Sequence, residues 1–410
     1  MNDFKKLFPF FLRHEDIAYL DSANTSQILS KSLASINAFY KDYNFNIGRG
    51  SYSGSRYTEQ LKEWAEIKAA NFIEAEPYQI IFTTGATEGL NMIARSFRYF
   101  CKKSNKKIKL LTTKLEHASC IMPWIAFPKD LIEINYLKLN DDYTFNIEAF
   151  EEEMENNTPD IVLLSSMTNT TGEKRPLKEI GLLCEKHNAA FIVDHAQGAA
   201  HYQINVKECR IDFLCFSLHK MYGPKGLGVL YAKNPMFIKP YKLGGGMNKS
   251  FDENSFSLQD NNTRFYAGTE NLEAIIGAIP VFDFFEENWD NIELLEQYYG
   301  TFLYKLLSKV PGIKIYSIPN STILLFNIKN FEALDVMSYL DKKDIYIRAG
   351  NHCSKLTKDL FGLSTCRISL GIYNDDEDIS AAYRVLNDMV RENLEKTVQE
   401  NVNNKKELLK

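Results

Sequence analysis

Between Gln79 and Lys233 the chain repeats one pattern. Short apolar runs rich in β-branched residues, "QIIFTT", "KIKLLTTK", "IEINYLKL", "DIVLLSSM", "AAFIVDHA", "DFLCFSLH" and "LGVLYAK", are spaced by segments of helical periodicity such as "EGLNMIARSFRYF" and "PLKEIGLLCEKHN". Runs that are apolar throughout, rather than alternating, predict strands covered on both faces, so this stretch predicts an α/β domain on a largely parallel sheet. After about residue 280 the pattern changes to a long helical segment, "EENWDNIELLEQYYGTFLYKLLSKV". "TILLFNI", "FEALDVMSYLDKK" and "IYIRAG" then read as strand, helix and strand, and a last helix begins at Asp375. The expected division is an arm over 1–18, a large domain over 19–280, a smaller α+β domain over 281–392 and a polar tail over 393–410.

Composition changes this picture little but removes some functions. The 410 residues are 45% hydrophobic and 25% charged, ordinary for a globular protein and long enough for two packed domains. A net charge of −5 gives no reason to expect a nucleic-acid partner. Near the N-terminus Arg13, His14, Glu15 and Asp16 cut off a short apolar stretch well short of a signal-peptide core, so neither export nor membrane insertion is expected, and a cytoplasmic location is. The seven cysteines have no CxxC pair or regular spacing, which indicates neither a disulfide framework nor a metal site.

Candidate chemistry sits where the runs end. In an open α/β sheet ligands bind beyond the carboxyl ends of the strands. "FIVDHAQ" delivers Asp194 and Gln197 there, "FSLHK" delivers Ser217, His219 and Lys220, and "IIFTTGATEGLN" places Thr84 to Thr87 at the mouth of a helix. A glycine turn before a helix N-terminus aims N–H groups and a positive dipole end at an anion such as phosphate, although such turns also occur without a ligand. A buried aspartate at a strand end calls for a cation, and a protonated pyridine nitrogen is one. A lysine amine with a lowered pKa can join an aldehyde covalently. Phosphate, pyridinium and aldehyde together describe pyridoxal phosphate. The bland alternatives are a solvated Lys220, a helix-capping Asp194 and structural His195 and His219.

"VDHAQ" followed by "SLHK" resembles the core of the class V aminotransferase family, pyridoxal phosphate enzymes of fold type I. "TTGATEGLN", "EHASCIMPW", "TNTTGEKRP" and "RFYAGTEN" are similar to that family's phosphate loop, ring-stacking histidine, ring-contacting asparagine and subunit-bridging segment. The likeness runs from "YLDSANTSQ" to "YNDDEDI". It implies that Lys220 carries the cofactor, Asp194 meets the pyridinium, Gln197 the phenolate oxygen, and His117 and Asn169 the ring. Ala86, Thr87, Ser217, His219 and, from a second subunit, Thr269 would hold the phosphate, which implies a homodimer with shared sites. Departures from the family pattern are Ala118 for a second histidine, Cys120 for asparagine, and Tyr266 and Glu270 around "AGT".

A second loaded segment is "YIRAGNHCSKL". Cys353 in a turn beside His352 and Arg348 has the electropositive, accessible setting that favours thiolate, whereas Cys101, Cys184 and Cys215 fit inert buried thiols. Arg367 interrupts the apolar run "CRISLGIYN" and suits a bidentate grip on a substrate carboxylate, with a structural ion pair as the alternative. "RAGNHC" at this short distance from "CRISLGIYN" resembles cysteine desulfurases of the second, SufS-like type, with Asn351 where histidine is frequent. The resemblance implies conversion of L-cysteine to L-alanine, with Arg367, Asn169 and Arg348 at the substrate and Lys220 and His117 moving protons. A persulfide would form on Cys353, its sulfur passing to an acceptor or scaffold protein for iron–sulfur cluster assembly. Alternatives are a selenocysteine lyase, a C–S lyase or an aminotransferase of the same fold, and, from another class, a silent scaffold.

Overall fold

A computed structural model of the chain describes residues 3–48, 52–354, 360–362 and 364–408, with side chains from Phe4 to Glu395. The short strand β1 (Ala18–Tyr19) and helices α1 (Ser30–Asp42) and α2 (Ser53–Phe72) precede the main sheet. Its strands are β2 (Ile80–Thr83), β3 (Ile108–Thr112), β4 (Ile132–Tyr136), β5 (Ile161–Ser165), β6 (Ala190–Asp194), β7 (Phe213–Ser217) and β8 (Gly228–Ala232). All seven apolar runs are strands of this one sheet, in the order β2-β8-β7-β6-β5-β3-β4. Only β8 runs antiparallel to its neighbours. Helices α3 (Ala86–Ser104), α4 (Ala118–Ile125), α5 (Ile147–Asn156) and α6 (Leu177–Lys186) link the strands. Every residue of β5, β7 and β8 is buried, which is why those runs do not alternate.

The exposed hairpin of β9 (Asn248–Phe251) and β10 (Phe256–Leu258) follows. Helix α7 (Leu272–Leu307) begins earlier than the helical run predicts and passes Pro280 unbroken, so the expected boundary at 280 falls inside it. Its first half packs into the core around the large sheet, and Leu303 and Leu307 pack into a second core. That core lies on a four-stranded sheet of β11 (Ile313–Ile315), β12 (Ile323–Ile328), β15 (Thr365–Ser369) and β14 (Arg348–Gly350), with α8 (Ala333–Asp341) against it.

The single strand expected for "IYIRAG" is two. β13 (Ile345–Tyr346) pairs in parallel with β1, and after Ile347 the chain changes partner so that β14 joins β15. The N-terminal arm is thereby sewn into the small lobe. Phe8, fully buried, sits edge-on to Tyr222 (5.3 Å) and Tyr373 (4.8 Å), and Lys5 pairs with Asp378 at 3.0 Å. The final helix, Asp376–Leu408, runs on through the segment read as a polar tail. The tail's side chains beyond Glu395 lie outside the described residues.

Candidate active site

The carboxyl ends of β2, β3, β5, β6 and β7 open on one cavity of about 220 Å³, closed on the other side by the small lobe. Of the residues singled out in the sequence, Ala86, Thr87, His117, Asn169, Asp194, Gln197, Ser217, His219, Lys220, Arg348, Cys353 and Arg367 all line it. Thr269 does not. It is exposed on a separate surface cavity with Gly268 and Glu270. Ala23, Asn24, Ser119 and His352 also line the active cavity.

Asp194 ends β6 nearly buried, its Oδ1 accepting from Ala196 N (2.9 Å) and its Oδ2 from Cys120 Sγ (3.1 Å). Lys220 follows β7 in a 3₁₀ turn, and among the described residues its Nζ has no hydrogen-bond or ion-pair partner. Burial pushes the Lys220 pKa below the ordinary lysine range, against the pull of Asp194. His117 caps α4, and its Nδ1 accepts from Ser119 N (3.2 Å). Burial, then the Lys220 charge, holds His117 down to about 4. The ring is therefore neutral near pH 7, with its proton on Nε2.

At the mouth of α3, Gly85 adopts φ 156° with no Cβ in the way, and a Cβ on Gly228 would strike the Gly85 Cα at 2.5 Å. This close approach seats Ala86 and Thr87, at the positive end of the helix, on the cavity wall. Ser217 Oγ accepts from Ala86 N (2.8 Å), leaving its own hydroxyl proton free to donate. His219 Nδ1 lies 3.2 Å from Thr25 Oγ1, and burial followed by the Lys220 and Lys225 charges lowers its pKa to about 4. Gln197 spends one amide hydrogen on Ala23 O (2.8 Å).

The small lobe brings the thiol. Cys353 is exposed and free, and both it and His352 have left-handed backbones, φ 56° and 49°. Such conformations cost about 1–3 kcal/mol each and persist because the surroundings fix them. Here Ala118 N donates to Cys353 O (2.9 Å), Asn169 Nδ2 to His352 O (2.7 Å) and Ser354 Oγ to Glu116 O (2.9 Å). Arg348 donates to Cys353 Sγ from Nη2 at 3.2 Å. The sequence reading gave His352 a share in that electropositive setting, and the geometry corrects it. The His352 ring is buried against Thr365, with Nε2 2.9 Å from Oγ1, and burial holds it neutral with a pKa of about 3, so the positive charge is Arg348's.

Two further residues differ from expectation in their partners. The Asn169 amide is engaged by the Cys353 loop rather than free in the cavity. Arg367, 1% exposed, already pairs through Nη2 with Asp21 Oδ1 (2.9 Å) and through Nη1 with Asn169 O (2.9 Å), while its Nε has no partner among the described residues. The ion pair weighed as the alternative is thus present. The departures at 266 and 270 go together. Lys62 pairs with Glu270 (2.9 Å) and lies 3.9 Å over the Tyr266 ring.

A ring nitrogen for Asp194, an aldehyde for the partnerless Lys220 amine and a phosphate for the mouth of α3 match this set of groups, so the cavity fits pyridoxal phosphate. Comparison with known proteins leads the same way. The chain is 34% identical over 390 residues to a probable cysteine desulfurase of Halalkalibacterium halodurans, covering 93% of this chain and 95% of that protein. It is 31% identical to a probable cysteine desulfurase of Ureaplasma parvum, covering 94% and 97%. The solved structure of a cysteine desulfurase from Thermococcus onnurineus superposes with a TM-score of 0.88 at 27% identity, covering 94% and 97%. CsdA of Escherichia coli, another cysteine desulfurase, does so with 0.85 at 25%, covering 95% and 98%. With residues 18–382 matching its family pattern across both lobes, the chain belongs to the class V aminotransferases.

Proposed function

We propose that the protein is a cysteine desulfurase that uses pyridoxal phosphate to convert L-cysteine to L-alanine and retains the sulfur on Cys353. The observation that carries this reading is a partnerless lysine amine, a buried aspartate and an arginine-bound cysteine lining one cavity.

Lys220, Asp194, Gln197, His117, Asn169, Ala86, Thr87, Ser217 and His219 would hold the cofactor, with Thr269 supplied by a second copy of the chain in a homodimer. When bound, the cofactor supplies an electron sink for the carbanion left by α-proton removal. Arg367, whose side chain lines the cavity, would orient the substrate carboxylate. Lys220 Nζ, its proton affinity lowered by burial, takes the α-proton as general base. Cys353 Sγ, next to Arg348, attacks the substrate sulfur. The C–S bond breaks as an S–S bond forms, and the carbon skeleton takes one proton at Cβ and regains one at Cα from Lys220, leaving as L-alanine. His117, with Nδ1 accepting from Ser119 N and its proton on Nε2, would give the Cβ proton.

In this reading residues 19–280 bind the cofactor and 281–392 carry the thiol. The exposed persulfide is passed to an acceptor protein for iron–sulfur assembly in the cytoplasm. No helix among the described residues is long and apolar enough to cross a membrane. The test is alanine release from L-cysteine with added thiol. Wild type is expected to turn over with a visible cofactor band, Cys353→Ala to keep the band and lose turnover, and Lys220→Ala to lose both. An unaffected rate in Cys353→Ala would exclude the persulfide route.

A further inference from the structure

The first turn of α4 reaches toward the cofactor site twice. His117 caps it, and Cys120, three residues on and on the same face, donates its backbone N–H to His117 O at 2.9 Å. The Cys120 side chain is fully buried, yet its sulfur is 3.1 Å from Asp194 Oδ2. Burial and the neighbouring carboxylates keep this thiol protonated, so it approaches Asp194 as a donor. The other side-chain oxygen of Asp194 takes a backbone N–H from Ala196. These two bonds, one to each oxygen, fix the rotation of the carboxylate.

We propose that Cys120 is a positioning residue for Asp194: its thiol fixes the orientation of Oδ2 and tempers the negative charge that this oxygen offers to the cofactor's ring nitrogen. The second half rests on the pyridoxal phosphate reading above. The chain has a cysteine where its family frequently has asparagine, and the geometry gives the thiol one donor contact toward one carboxylate. A thiol is a weaker donor than an amide, and it leaves Oδ2 with more of its charge. Losing it would expose the cofactor to a more negative carboxylate, which favours the protonated, positive form of the lysine-bound chromophore.

Two measurements test this and separate its halves. In the cofactor-free protein, infrared difference spectra between wild type and Asp194→Asn are expected to show one S–H stretching band shifting back toward the frequency of a free thiol. A flat difference in that region overturns the proposal, whatever becomes of the cofactor, and no variant of Cys120 is needed to see it. With pyridoxal phosphate bound, the pH midpoint of the visible band is expected to rise by about 0.3–0.7 units in Cys120→Ala and to return in Cys120→Ser, whose hydroxyl restores the donor. Equal shifts in both variants, or none in either, overturn it. If wild type forms no visible band at all, the cofactor reading fails and takes the second half with it, while the infrared result still decides the first.

Discussion

The turn that presents His117 rests on a buried charge pair. Glu116 and Arg175, both without side-chain exposure, meet at 2.8 Å, and Glu116 also accepts from Thr113 Oγ1 (2.7 Å) and Ser165 N (2.7 Å). Among the described residues Arg175 keeps two nitrogens, Nε and Nη1, without partners. A pair this poorly satisfied contributes little net stability against an apolar replacement, yet removing only the arginine strands a buried carboxylate. Arg175→Met is expected to destabilise the protein by about 3–5 kcal/mol, and Arg175→Met with Glu116→Gln by less than half of that. Urea unfolding followed by tryptophan fluorescence, to which Trp124, buried on α4 eight residues after Glu116, contributes, gives the free energies, and far-UV circular dichroism checks that both probes see one transition. Within about 1 kcal/mol of wild type for the single variant, or a double variant no better than the single, the reasoning is refuted.

Other outcomes follow from the same geometry. His195 and His352 are buried, with pKa values near 3 in the fold against the usual 6.5, so the unfolded chain takes up protons first. Stability is complete above about pH 6.5 and falls, by several kcal/mol in all, as pH drops toward 3; a urea midpoint constant between pH 7 and 4.5 would contradict this. Phe8→Ala empties the aromatic contact between the arm and both lobes and is expected to cost about 3–5 kcal/mol in urea unfolding, a loss under 1 kcal/mol counting against it. Lys62→Met leaves the half-buried Glu270 and Glu66 without their cation, and the Glu66 pKa is already pushed up to about 7. Thermal unfolding is expected to fall most at pH 8 and to recover toward pH 5, and a pH-independent deficit would refute the electrostatic cause.

The large sheet is legible in the sequence because its strands are buried on both faces and read as unbroken apolar runs. The hairpin β9–β10 has no such run, since its residues are exposed or nearly so. The break in "IYIRAG" depends on β1, more than three hundred residues away, and no local pattern announces it. The same division holds in the site. Lys220, Asp194 and Cys353 stand out because a polar group ends an apolar run or sits in a glycine-containing turn. The pairings Asp21–Arg367 and Cys120–Asp194 join segments far apart in the chain, and the family likeness beginning at "YLDSANTSQ" was the one hint of a role for the first. Ser119, 3.1 Å from the His117 ring and 2.8 Å from Thr87 Oγ1, reads as an ordinary helix residue until the fold brings those groups together.

Mass spectrometry of the intact protein, followed by peptide mapping, after brief incubation with L-cysteine tests the central claim most directly. One added sulfur atom on the peptide containing Cys353, absent when Lys220 is changed to alanine and removed by a reducing thiol, is the result expected. Alanine formed with no sulfur on Cys353, or sulfur spread equally over the other cysteines, would contradict it.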